Sequence, residues 1–184
     1  AEMGQAKRRR EAGERVTHCR TCTYCCTLPQ IEALAKPAYR PCSHIADGGC
    51  SIYGRPERPA ACSAYACAYL TARLANAPER NRIPHPLDCG AYFHRDPVEK
   101  VIFLFVDPAR PQLWKATALL VDFLKLQVSS GFVLFVTDRG RQMVIRDAAT
   151  LSEILARDFV AMADREGRPL DVPSFREGHA PPVA

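Results

Sequence analysis

From residue 100 onward the apolar positions recur in two rhythms. Residues 100–106 are β-branched and aromatic after the opening lysine and stop at Asp107-Pro108, which predicts a strand buried on both faces. Across 111–127, Leu113, Trp114, Leu120, Val121, Phe123, Leu124 and Leu126 predict a helix with a broad apolar surface. Residues 132–137 predict a second strand, Asp138-Arg139-Gly140 a tight turn, and 141–146 its hairpin partner. Leu151, Ile154, Leu155, Phe159 and Met162 mark a last helix over 148–165. The order strand, helix, hairpin, helix specifies a small α/β layer with helices against a short mixed sheet. Phe103, Phe105, Phe132, Phe135 and Trp114 are assigned to its core.

The first half has no such rhythm. A helical turn is predicted over 30–36, with Ile31, Leu34 and Ala35 on one side and Pro37 as its stop. Asp47-Gly48-Gly49 is a strong turn signal, and Ile52-Tyr53 is read as a short covering strand. Pro59 is placed to open a helix over 60–74, followed by a polar, proline-containing linker over 76–86. The fold class expected is α+β, an irregular cysteine-rich metal-binding module packed with the α/β layer. The divisions are a basic arm over 1–16, the cysteine module over 17–79, the α/β region over 80–170, continuous with the module or separate, and a tail over 171–184.

What fills the irregular half is sulfur. Eight of the nine cysteines, Cys19, Cys22, Cys25, Cys26, Cys42, Cys50, Cys62 and Cys67, fall within 49 residues, counted from 19 to 67. That density fits metal ligation better than free core thiols, and eight matches two four-ligand zinc sites in number. Structural zinc is worth roughly 10–16 kcal/mol in small modules, enough to fold a segment with few large apolar residues. A [4Fe-4S] cluster or iron is the alternative cofactor, although the expected Cys-Pro after Cys19, Cys22 and Cys25 is missing. Redox thiols or disulfides form the remaining reading. The neighbours Cys25 and Cys26 point in different directions, so one is read as a ligand of a first metal and the other either as a ligand of a second or as simple packing. Cys62 and Cys67, about 140° apart on a continuous helix, require either a break near Cys67 or two separate metals. His18 and His44 are candidate substitutes for a cysteine ligand, and Cys89 is left as a nonligating ninth.

Charge and targeting narrow the setting. The net formal charge is +5, of which residues 1–15 supply +2 through five basic and three acidic side chains. Metal-bound thiolates would offset the rest, so Lys7, Arg8, Arg9 and Arg10 give only weak support to a nucleic-acid partner. No early apolar run serves as a signal peptide and none spans a bilayer, which predicts a cytoplasmic, reducing location without membrane insertion. Catalytic motifs are missing: there is no nucleotide loop, no H-E-x-x-H helix and no serine triad order. Asp107 and Asp138 at strand ends, and Arg141 and Arg146 on the hairpin, read as ordinary turn and flank residues.

The cysteine pattern itself carries a resemblance. Cys19-x2-Cys22-x2-Cys25-Cys26, then Cys42, Cys50-Ser51-Ile52-Tyr53 and Arg58-Pro59-x2-Cys62-x2-Tyr65-x-Cys67 resemble the YkgJ-type cysteine-cluster family of zinc- or iron-chelating proteins over about 50 residues. A second Arg-Pro at Arg55-Pro56 lengthens one spacing relative to that pattern. The resemblance implies that the eight cysteines are ligands and that Arg58 and Tyr65 support them. The function expected is therefore a cytoplasmic protein holding zinc, two ions by count, with an α/β scaffold that binds a protein or small-molecule partner. The alternatives are an iron-sulfur or metal-dependent enzyme and a nucleic-acid- or ribosome-associated zinc protein.

Overall fold

The computed structural model describes residues 18–156. The basic arm over 1–16, the predicted last helix beyond Ala156 and the tail over 171–184 lie outside the described residues.

Four strands form the main sheet: β3 (Ala91–Asp96), β4 (Val101–Val106), β5 (Val133–Asp138) and β6 (Arg141–Ile145), in that spatial order. β1 (Ile45–Ala46) and β2 (Gly49–Cys50) make a separate small hairpin. β3 pairs antiparallel with β4, β4 parallel with β5, and β5 antiparallel with β6. The parallel pair needs a crossover, supplied by α5 (Leu113–Ala116) and α6 (Ala118–Ser129). Ile102, Leu104, Val106, Leu134, Val136 and Ile145 are fully buried on one sheet face, in one core with Trp114, Leu120, Phe123 and Leu124. α7 (Ala148–Ala156) adds Leu151 and Ile154 to that core.

Several local expectations change. β4 alternates between buried and half-buried positions, so it is closed by helices on one face only. The helix expected over 60–74 is two, α2 (Ala60–Ala64) and α3 (Ala68–Leu74), because Tyr65 adopts an extended conformation and Cys67 starts the second. The helical turn at 30–36 is a 3-10 turn over Glu32–Leu34, closed by an Ile31–Lys36 bridge. Ile52-Tyr53 is turn, and the short strand lies just before it in β2. The supposed linker over 76–86 is packed: Pro78–Arg82 is a 3-10 turn, and Ile83, Pro84, His85 and Pro86 are buried.

Strand β3 extends the sheet beyond the sequence reading and joins it to the cysteine-rich half. α4 (Pro86–Cys89) leads into it through Gly90, whose positive φ of 65° ends the helix. A Cβ there would meet Leu113 Cβ at 2.9 Å. On the sheet's other face Tyr92 stacks on Phe105, with ring centroids 5.1 Å apart, and joins Tyr24 and Leu28 in a second apolar cluster. Tyr24 belongs to α1 (Tyr24–Thr27). The cysteine-rich segment therefore packs directly on the sheet.

The expected fold class is corrected at one point. The fold is mixed α/β, but among the described residues no group of three or more His, Cys, Asp or Glu is arranged to hold a metal ion. The irregular half is held by apolar packing on the sheet and by side-chain hydrogen bonds to its backbone.

Candidate thiol site

The eight clustered cysteines come from separate local structures. Cys19 is helical and Cys22 lies in the segment just before α1; the Cys22 amide donates to the Cys19 carbonyl at 2.9 Å. Cys25 and Cys26 lie in α1, Cys50 in β2 and Cys62 in α2, while Cys67 caps α3. Cys42 is tied to α1 by its amide, which donates to the Cys26 carbonyl at 3.0 Å. No disulfide joins any of the nine cysteines.

Electrostatically the thiols form two neighbourhoods. Cys22 feels Cys19, Cys26 and Cys67, and Cys25 feels Cys22, Cys26 and Cys67. Together with Tyr65 and His85, Cys19, Cys22, Cys25 and Cys67 line a cavity of about 50 Å³. That space takes a few waters and is far below the several hundred Å³ of an organic substrate site. Burial raises the Cys22 thiol to about 12 and the Cys67 thiol to about 11, which keeps both protonated.

The second neighbourhood contains Cys26, Cys42, Cys50 and Cys62 with Arg58. Burial raises Cys50 and Cys62. Cys26 moves the other way, to about 7, because of its hydrogen bond with the Cys25 thiol and because Arg58 and Lys36 lie nearby. The Cys25 and Cys26 sulfurs are 3.9 Å apart. Cys25 is correspondingly held well above an ordinary thiol, first by its hydrogen bond with Cys26 and then by burial.

Both cations are built into the fold. Lys36 is only 5% exposed, and its Nζ donates to the Thr27 carbonyl at 2.9 Å, the Pro37 carbonyl at 3.0 Å and also the Pro29 carbonyl. Those acceptors are neutral; burial lowers the Lys36 pKa, and the nearby thiols of Cys42, Cys26 and Cys25 oppose that shift. The Arg58 guanidinium lies over the Tyr53 ring at 4.3 Å, and its buried Nε has no hydrogen-bond partner among the described residues.

A further network anchors α1. Tyr24 Oη donates to Asp107 Oδ2 at 2.6 Å, Arg110 Nε donates to the same oxygen at 3.0 Å, and Arg110 Nη2 donates to Tyr24 Oη. Arg110 also donates to the Leu87 carbonyl at 2.9 Å. Asp107, read from sequence as a turn residue, thus ties the thiol-bearing helix to the end of β4. Tyr65 packs edge-on against Tyr92, with centroids 6.2 Å apart. His85 accepts from the Leu87 amide at Nδ1 and lies 3.2 Å from the Cys19 carbonyl through Nε2. This pairing selects the neutral Nε2-H tautomer, and burial lowers its pKa.

No protein-family model, curated protein or solved structure matches the chain. The metal-based expectations are corrected together: the likeness to the YkgJ-type family, zinc with its [4Fe-4S] or iron alternative, and the functions built on them. Among the described residues no group of three or more candidate ligands is arranged to hold an ion. The physical reason is placement: the cysteines are carried by α1, β2, α2, the start of α3 and the segments between them, and no three of the described candidate ligands converge on one point. His18 and His44 complete no metal group either.

Sequence reasoning therefore found the cysteines and Arg58 but assigned them a different chemistry. Lys36 and Cys42 were the signals available for the thiolate environment, and neither is informative until Lys36 is seen folded inward. No helix of the described residues is long and apolar enough to cross a membrane.

Proposed function

We propose that this chain is a thiol-disulfide exchange protein with Cys26 as its attacking thiolate and a disulfide-bearing small molecule or protein as its partner. The observation that carries the reading is the position of the Cys26 sulfur, 3.9 Å from the Cys25 thiol and beside the Arg58 and Lys36 cations. The thiolate is the nucleophile in exchange, and exchange is fastest when the attacking thiol has a pKa near the ambient pH. At about 7, Cys26 combines a large thiolate fraction with retained nucleophilicity. Cys22, Cys25 and Cys67, raised above an ordinary thiol, stay protonated.

The test is exchange with glutathione disulfide at pH 7.5, followed by peptide mass spectrometry. Cys26 takes up the glutathione adduct ahead of the other thiols, and Cys26→Ser loses the fast phase. Equal exchange by Cys26→Ser and the unmodified chain would refute the reading.

A further inference from the structure

The geometry points to Cys42 as the thiol that resolves the mixed disulfide on Cys26, closing a Cys26–Cys42 disulfide. This inference rests on the exchange reading above and names the second half of the same reaction. Cys26 and Cys42 are joined through the backbone, the Cys42 amide donating to the Cys26 carbonyl at 3.0 Å. Such a contact brings two chain segments side by side, as a disulfide requires. Both residues also lie beside the Lys36 ammonium. Lys36 is fixed by three carbonyls, those of Thr27, Pro29 and Pro37, within the loop between them.

The other candidate sulfurs fit less well. Cys25 is closest, yet adjacent Cα atoms across a trans peptide are about 3.8 Å apart, below the usual disulfide range of about 4.4–6.8 Å. It also lies in the same short helix as Cys26, where successive side chains diverge by about 100°. Cys50 and Cys62 also feel the charges of Cys26 and Arg58, but the chain segment of neither is joined to Cys26 by a backbone hydrogen bond.

The steps balance. The Cys26 thiolate attacks one sulfur of R–S–S–R′, a Cys26–S–S–R bond forms, and R′–S⁻ leaves with the bonding pair. Cys42 gives its proton to solvent and attacks the Cys26 sulfur. The Cys26–Cys42 bond forms as R–S⁻ departs. The chain has lost two electrons to the partner, and a dithiol reductant returns it to the starting state.

The full chain is treated with glutathione disulfide, quenched with acid and mapped by peptide mass spectrometry. The expected product is a peptide pair linked through Cys26 and Cys42. In Cys42→Ser the glutathione adduct persists on Cys26, with a lifetime about tenfold longer or more, while Cys50→Ser and Cys62→Ser behave as the unmodified chain does. Mapping the unmodified chain needs no variant to fold. An adduct on Cys26 that resolves onto another cysteine overturns the assignment of Cys42 and leaves the exchange reading intact. Failure of Cys26 to form any adduct overturns both.

Discussion

Arg58 acts on Cys26 from a different segment of the chain, and its removal is the sharpest single-residue test of the thiolate's environment. Arg58→Gln keeps a polar side chain but deletes the charge, so the Cys26 pKa rises from about 7 toward that of an ordinary thiol. Iodoacetamide labelling of Cys26 at pH 7 then falls by about threefold to tenfold, and raising the pH to 9 restores it. A loss of labelling that high pH does not restore would instead mean that the site had collapsed. The cysteines and Arg58 were legible in the sequence because their spacing is unusual. Their chemistry was not, since it depends on Lys36 turning inward to three carbonyls and on which of two adjacent thiols keeps the proton.

At the scale of elements, two contacts fix the thiol-bearing half on the sheet. Tyr24→Phe removes the hydroxyl shared by Asp107 and Arg110 and is expected to cost about 1–2 kcal/mol, read as a lower urea midpoint with an unchanged slope. Gly90→Ala places a methyl group against Leu113 at a backbone position with φ of 65°. A loss of about 1–3 kcal/mol follows, measured in the same way. β4, β5 and β6 were readable because their apolar runs are long and end at clear turns. β3 was not, because Ala91 and Phe93 pack toward the main core while Tyr92 packs toward the cysteine-rich half, leaving no simple alternation. The break between α2 and α3 carries no proline or glycine at Tyr65. Its cause is tertiary, the packing of that ring on Tyr92.

Across the whole molecule most thiols and several tyrosines titrate above their ordinary values, and this sets the response to pH. Burial raises Cys22, Cys67 and Cys89 to between about 11 and about 12, and it raises Tyr65 and Tyr92 as well. For groups that lose a proton to become anions, a folded-state pKa above the unfolded one gives stability that is complete below the unfolded value. That stability is lost as pH rises toward the folded value. Cys26 has the opposite sign: its contribution is complete above about 9 and declines as pH falls through about 7. The raised groups outnumber it, so the urea midpoint drops between pH 8 and pH 11. A midpoint constant over that interval would contradict the burial of these groups.

The most direct test of a reactive Cys26 is competitive alkylation of all nine cysteines in the reduced, folded chain from pH 5 to pH 10, quantified peptide by peptide. Cys26 is predicted to label first at neutral pH, with a half-maximal rate near pH 7 and a plateau above it, while Cys22 and Cys67 continue to rise beyond pH 9. Labelling of Cys26 that lags behind Cys50 and Cys62 at pH 7, or that reaches half-maximum only near pH 9, would contradict the account.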